Sequence, residues 1–113
     1  MNKTSTEYTK VINDCKDIFV KKTKDYGTAW RILRPSSLTD QIFIKAQRIR
    51  TIQMTGENKV GESVEGEFIA IVNYCVMALI QLLESDITDM ELDEKIALEL
   101  FEKYTHEAHE LMK

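Results

Sequence analysis

The most apolar stretch of the chain runs from Phe68 to Leu83, and amphipathic segments surround it. Strong polar groups occur in this run, FIAIVNYCVMALIQLL, only at Asn73, Tyr74 and Gln81. A helix that is apolar on every side is either a buried core helix or a membrane span. The run is shorter than the roughly 20 residues that a span requires, and polar groups interrupt it. We therefore predict the central helix of a soluble bundle, at about residues 62–84, and no membrane partner.

Two amphipathic patterns precede this helix. The first begins at a capping-box pair, Thr4 and Glu7, and ends at Gly27, which can adopt a left-handed helix cap without strain. The second covers about 38–53, and Ser36 or Ser37 is expected to cap it. The connector between them, residues 28–35 (TAWRILRP), is too apolar for a free loop. We predict that it packs as a turn or short helix.

A fourth helix is predicted after the central one. Thr88 and Glu91 repeat the capping-box spacing, and apolar residues recur at helical steps from Ile96 to Leu111. One proline, four glycines and no alternating β-branched runs argue against a sheet. The predicted fold is all-α: a four-helix, bundle-like single domain over 1–113 with a buried central helix and a packed connector. The last pattern stops in mid-helix, which also suits the first unit of a tandem repeat in a longer protein.

Composition limits the classes of function. The net charge of −4 over 113 residues disfavours a dedicated nucleic-acid binder, which would normally be basic. The N-terminus has no apolar signal-peptide region, so we expect a cytoplasmic protein. Cys15 and Cys75 fall on apolar helix faces without metal-type spacing and are predicted to be buried free thiols. His106 and His109 could form a metal pair, but the glutamates beside them favour a solvated face.

Two carboxylates could bind a metal ion at the start of the central helix. Glu62 and Glu65 lie one turn apart, and Mg²⁺ is commonly held by one or two carboxylates together with substrate phosphates. Acids also stabilise a helix N-terminus when no metal binds, so a purely structural role is the alternative. Asn73 lies further along the same helix, where a buried amide must find a partner or face a ligand.

Five cations are concentrated ahead of the central helix of this acidic chain, and they suggest an anion site. Arginine binds phosphate in a bidentate manner and lysine binds it as a point charge. The alternative is a solvated face with ordinary ion pairs. The cations are Lys24, Arg31, Arg34, Lys45 and Arg48.

Three pieces of the sequence occur together in one known family. KDYGTAW from Lys24, SSLTDQIFIKAQRIR from Ser36 and ESVEGEFIAIVNYCVMALI from Glu62 resemble the nucleotide modification associated domain 1 family, over residues 24 to about 82. That family is similar to all-α nucleoside triphosphate pyrophosphatases of the MazG type, which bind Mg²⁺ through helix-borne acids. The positions that match the family's motifs are Asp25, Tyr26, Gly27, Trp30, Lys45, Arg48, Glu62, Asn73 and Tyr74. Of these, the resemblance implies ligand contacts by Asp25, Tyr26, Trp30, Lys45, Arg48 and Asn73.

The chain departs from this pattern where metal ligands are concerned. Ala70 and Gly66 stand where relatives carry acids, and Lys45 and Arg48 stand where a MazG-type enzyme has glutamates. We therefore expect binding of a nucleotide or similar phosphorylated molecule, with weak Mg²⁺-dependent phosphohydrolase activity as the enzymatic version. The alternative is a non-catalytic helical oligomerisation or protein-interaction module. Because the central helix is apolar on all sides, a homodimer or higher oligomer is also expected.

Overall fold

The fold is all-α, as predicted. The computed structural model describes residues 3–56, 64–88 and 92–112, and these ranges contain no strand. Within these ranges the chain forms four α-helices and one short 3₁₀ turn. In chain order they are α1 (Lys3–Tyr26), the 3₁₀ turn (Ala29–Ile32), α2 (Pro35–Thr55), α3 (Val64–Leu83) and α4 (Glu94–Met112).

The end of α1 follows its sequence signal. Gly27 takes a left-handed φ of +65°, and its N–H donates to the carbonyl of Thr23 at 2.8 Å. This closes the last turn and redirects the chain into the 3₁₀ turn. The short helix predicted within residues 28–35 is therefore confirmed, but it packs through Trp30 and Arg31, whereas Ile32 and Leu33 are exposed.

The starts of α2 and α4 differ from the predicted caps. Arg34 is the N-cap residue of α2, with Pro35 at the first helical position and no side-chain cap, so the predicted serine cap is wrong. Proline supplies a helical φ and has no N–H to satisfy, which makes a serine cap dispensable. At α4 the N–H of Ile96 donates to Oδ1 of Asp93 at 2.9 Å, so the cap is Asp93 instead of Thr88. Glu91 lies outside the described residues.

Gly27 gives a first testable prediction. A Cβ at this position would meet no atom within 4 Å, so substitution strains only the backbone. Gly27→Ala is expected to lower the free energy of unfolding by about 1 kcal/mol, because alanine disfavours the left-handed region. Gly27→Asn is the matched control and should cost less, since asparagine tolerates that region. Urea unfolding followed by circular dichroism measures both, and equal losses would contradict the assignment to backbone strain.

The hydrophobic core lies between α1, α3 and α4. The rings of Phe19 and Phe101 meet at its centre, with centroids 4.9 Å apart. The hydroxyl of Tyr104 donates to the Glu84 carboxylate at 2.5 Å, and burial together with that carboxylate raises the pKa of Tyr104. The buried members of this core are Cys15, Phe19, Val76, Ile80, Leu92, Ala97, Leu100, Phe101 and Tyr104.

The central helix is more exposed than its sequence predicts. α3 contacts α1, α2, α4 and the 3₁₀ turn, so it is central. Yet its buried residues are only Glu67, Asn73, Val76 and Ile80. By length and composition α3 could cross a membrane, and 22% of that window is buried. Since the core helix of a soluble protein meets the same criterion, the exposed flank of α3 is what distinguishes this helix.

The two cysteines have different surroundings. Cys15 is fully buried in the core, and burial raises the pKa of its thiol. Cys75 is a free thiol on the exposed flank of α3, so the prediction that it is buried is wrong. The sequence around Cys75 does not indicate this exposure, because Cys75 lies in an apolar run directly beside the buried Val76.

Candidate functional site

A cleft of about 740 Å³ lies on one side of α3. It forms because α1 and α2 diverge from the 3₁₀ turn while each packs against α3. Most of its wall is apolar, as is usual for small-molecule sites. The lining residues are Ile18, Phe19, Lys22, Thr23, Tyr26, Gly27, Ala29, Trp30, Ile32, Leu33, Lys45, Gly66, Ile69, Ala70, Asn73, Tyr74 and Met77.

Asn73 lines this cleft and carries a buried, unpaired acceptor. Its side chain is 7% exposed, and Nδ2 donates to the carbonyl of Cys15 at 3.2 Å. This hydrogen bond fixes the orientation of the amide, because only the NH₂ group can donate to a carbonyl. Oδ1 is buried and has no partner among the described residues. Such an atom costs about 1–3 kcal/mol in the empty protein, which a ligand donor would recover.

Trp30 supplies the complementary donor. It lies in the 3₁₀ turn, lines the cleft, and its buried Nε1 has no partner in the described part of the chain. At the end of α1, Tyr26 also lines the cleft, and Nζ of Lys22 lies 5.9 Å from the centre of its ring. The cleft therefore combines aromatic surface, an unpaired donor, an unpaired acceptor and lysine side chains.

Lys45 and Arg48 face a buried acid that was not proposed for the site. Nζ of Lys45 is 3.5 Å from Oε2 of Glu67, and Nε of Arg48 is 3.7 Å from Oε1. The Glu67 side chain is 8% exposed, whereas those of Lys45 and Arg48 are 21% and 38% exposed. Lys45 reaches the cleft, but Arg48 does not line it. A ligand phosphate at Lys45 would therefore share this cation with Glu67.

Arg31 has a structural position, not an anion-binding one. Its guanidinium donates to the carbonyls of Glu84 and Ile87 at 2.6 and 2.7 Å and to Oε1 of Gln81 at 2.6 Å. Gln81 Nε2 in turn donates to the carbonyls of Arg31, at 2.7 Å, and Leu33. Arg31 thus caps the carboxyl end of α3, where free carbonyls and the helix dipole favour a cation. It positions the 3₁₀ turn that carries Trp30.

Several other predicted ligand residues lie away from the cleft. Lys24, Asp25 and Arg34 are exposed and do not line it. Of the proposed ligands, the structure brings together Tyr26, Trp30, Lys45 and Asn73. Lys24, Asp25 and Arg34 lie close in the sequence to cleft residues, but the bend of the backbone between α1 and the 3₁₀ turn separates them from the cleft.

Only one of the two predicted metal ligands falls within the described residues. Glu65 is exposed and lines a groove between α1 and α3, different from the cleft that Asn73 lines. The physical reason is rotation along the helix, since eight residues turn α3 by about 80°. Glu62 lies outside the described residues. No group of three metal-ligating side chains occurs within the described ranges.

The two histidines also separate. The ring of His109 stacks on Tyr8, with centroids 4.6 Å apart. His106 is exposed, and its Nε2 lies 3.8 Å from a carboxylate oxygen of Glu110. The solvated interpretation suits His106, whereas His109 belongs to the contact between α1 and α4.

Sequence reasoning missed two residues that shape the site. Lys22 lies four positions before Tyr26 and three after Phe19, so helical spacing could have placed it at the cleft. Glu67 was not among the predicted ligands, because no sequence signal indicates that it faces α2. Whether an acid of a helix is buried is decided by tertiary packing.

The fold and cleft define a small all-α domain whose central helix carries a ligand-sized hollow with a cationic edge. The family model of Nucleotide modification associated domain 1 matches residues 22–82, and the chain belongs to that family. The matched span contains the 3₁₀ turn, α2, nearly all of α3 and most of the cleft lining. No curated protein and no solved structure matches the chain significantly.

Proposed function

We propose that this domain binds a nucleotide or a closely related phosphorylated small molecule in the cleft on α3. The observation that carries the proposal is the buried, unpaired Oδ1 of Asn73 in an apolar hollow of about 740 Å³ that Lys22 and Lys45 border. Nucleotides combine a flat base with polar edges and a polyanionic tail. The cleft offers matching surfaces for both parts.

The base would occupy the inner part of the cleft. Oδ1 of Asn73 would accept a hydrogen bond from a ring N–H or amino group, and the indole N–H of Trp30 would donate to a base acceptor. Aromatic faces stack on bases irrespective of base identity, by about 1–3 kcal/mol per base in single-stranded nucleic-acid complexes. Tyr26 and Tyr74 both line the cleft and can supply such a face.

The phosphates would lie toward Lys22 and Lys45. Lys22 is exposed near the end of α1, so it can approach a phosphate at little cost in desolvation. Lys45 is held near Glu67, so its charge is shared with that carboxylate and its attraction for a phosphate would be weaker. The family description, which refers to nucleotide modification, is consistent with this class of ligand.

A Mg²⁺-dependent hydrolytic step does not follow from the described residues. Glu65 lies in another groove, and Glu67 is already paired with Lys45 and Arg48. Mg²⁺ requires oxygen ligands in near-octahedral geometry, which these side chains do not provide together. The proposed activity is therefore binding, with no step assigned to a metal.

The proposal can be tested by calorimetry and thermal shift with a ligand panel. The panel comprises nucleosides, their mono-, di- and triphosphates, and inorganic triphosphate, each with and without Mg²⁺. Stabilisation by nucleotides exceeding that by both the nucleoside and inorganic triphosphate is expected, because the base and the phosphates contact different parts of the cleft. If no member of the panel binds at millimolar concentration, the oligomerisation or interaction module becomes the better account.

Lys22 provides a specific prediction for the phosphate end. Lys22→Gln is expected to weaken nucleotide binding by about three- to tenfold while nucleoside binding stays unchanged, because one exposed charge contact is lost. Lys21→Gln is the matched control, since Lys21 is its exposed neighbour and does not line the cleft. Titration at two salt concentrations should show a smaller salt dependence for Lys22→Gln. Equal weakening by both substitutions would indicate a general charge effect.

A further inference from the structure

Five apolar residues of α3 recur at alternating steps of four and three positions. They are Phe68, Val72, Cys75, Leu79 and Leu82, and together they are called the α3 seam. This spacing is that of the contact positions in coiled coils. Phe68, Leu79 and Leu82 are exposed by 51%, 38% and 61%, and Cys75 is also exposed. The described helices therefore leave most of the seam uncovered.

The seam lies on the side of α3 away from the cleft. Gly66, Ala70, Asn73 and Met77, which line the cleft, project about half a turn from the seam residues. Residues 68–83 contain no charged side chain. The seam is thus an uncharged apolar strip about 21 Å long. An exposed strip of this kind marks an interaction surface in a soluble domain.

An apolar groove adjoins the N-terminal half of the seam. It has a volume of about 500 Å³, lies between α1 and α3, and includes Val11, Val64, Phe68 and Ile69 in its wall. Asp14 and Glu65 also line it. At the other end of α3, Leu83 is 60% exposed beside the seam. The molecule thus carries an apolar hollow at one end of the seam and an additional apolar side chain at the other.

We infer that a second copy of this chain covers the α3 seam, with the two α3 helices antiparallel and the two-fold axis at Cys75. The smallest seam residue is at the centre and the bulkier ones flank it. This symmetry would place Phe68 against the partner's Leu82, and Val72 within one residue of the position opposite the partner's Leu79. The partner's Leu83 would enter the groove beside Phe68. A self-complementary surface is what a two-fold interface requires.

The charges at the helix ends favour a second copy over a membrane. Glu65 and Glu67 lie at one end of α3 and Glu84 at the other, without the lysines and arginines that anchor spans. Glu67 is paired with Lys45 and Glu84 with Lys103, which reduces repulsion where the ends of the two helices meet. A stable interface buries about 800 Å² of each partner. The groove adds contact area that the seam alone would lack.

The first test is the mass of the protein in solution. Light scattering of the wild-type chain from about 1 to 100 µM is expected to give a dimer, in the range where specific interfaces form. Leu79→Lys should weaken dimerisation by at least about 100-fold, because it places a charge in the apolar contact. Phe43→Lys is the matched control on α2, where Phe43 is 61% exposed, and it should remain dimeric. Circular dichroism checks that both variants fold.

The second test determines the register. Facing Cα atoms of packed helices lie roughly 3–5 Å apart, from interaxial distances of 8–10 Å and a Cα radius of 2.3 Å. This reaches the range in which disulfides form, so mild oxidation should link Cys75 to the partner's Cys75 while the buried Cys15 stays reduced. In a Cys75→Ser background, Phe68→Cys chains should cross-link with Leu82→Cys chains but not with each other.

Three results would overturn the inference. These are a wild-type monomer at 100 µM, a dimer unaffected by Leu79→Lys, and cross-linking between two Phe68→Cys chains, which indicates parallel helices. Flotation of a monomer with vesicles of phosphatidylcholine and phosphatidylglycerol would assign the seam to a membrane instead. Because the seam and the cleft lie on opposite sides of α3, ligand binding and dimerisation can fail independently.

Discussion

Ala70→Leu is expected to weaken nucleotide binding by at least about 30-fold, corresponding to about 2 kcal/mol. Ala70 lines the middle of the cleft, four residues after Gly66 and three before Asn73. A leucine there would fill space that the base requires and would shield Oδ1 of Asn73. Both residues are good helix formers, so α3 itself should be unaffected. Calorimetry with the best nucleotide of the panel measures the effect.

Ala46→Leu is the matched control for this prediction. Ala46 is an exposed residue of α2 that does not line the cleft. Ala46→Leu introduces the same side chain into a helix of similar length, and the affinity for the nucleotide should stay unchanged. If Ala70→Leu binds as tightly as the wild type, the ligand does not occupy this cleft and the proposed function loses its site.

Arg31→Met is expected to lower the free energy of unfolding by about 3 kcal/mol, or roughly 10 °C in melting temperature. Methionine can fill the space of the arginine stem, but it removes the guanidinium that donates to the carbonyls of Glu84 and Ile87; the Glu84 carbonyl then keeps only the N–H of Ile87. Part-buried acceptors that lose a charged donor are costly to leave unpaired. Loosening of the 3₁₀ turn should also weaken ligand binding, because the turn carries Trp30.

Arg34→Met is the matched control, because it removes an exposed arginine from the same connector. Arg34 lies three residues later, is exposed, and contributes the N-cap backbone of α2 without a side-chain cap. Its replacement should change stability by less than about 0.5 kcal/mol, as is usual for exposed positions. Chemical denaturation of both variants measures the difference, and comparable losses would show that the Arg31 hydrogen bonds contribute little.

Arg31 and Arg34 show where sequence reasoning about the site stops. In the sequence they are equivalent cations beside apolar residues, and both were expected to bind an anion. Only the path of the connector turns Arg31 toward the carboxyl end of α3 and Arg34 toward solvent. The same holds for Glu65 and Glu67, of which one faces a groove and the other faces α2. Neighbouring positions on a helix point about 100° apart. A small error in the predicted rotation of the helix about its axis therefore exchanges the predicted roles of nearby residues.

The expectations for Trp30 and Asn73 had a firmer basis than that for Tyr26, which rested on the family resemblance. An amide within a run of apolar residues must be buried, and a tryptophan in a short connector must pack somewhere. Their meeting in one cleft depended on α1 ending at Gly27, and that stop can be identified in the sequence. Their placement on one wall of the cleft therefore has a local cause, the end of α1 at Gly27, which can be predicted from the sequence.

Helical periodicity, glycine geometry and apolar content act within a few residues along the chain, so the helices, the glycine stop of α1 and the central place of α3 can be predicted from the sequence. Which side of α3 stays open, which acid is buried and which arginine becomes a structural cap follow from the tertiary packing. These outcomes depend on the angles at which α1, α2 and α4 meet α3. Such angles arise from contacts between residues far apart in the chain, and no local sequence pattern predicts them.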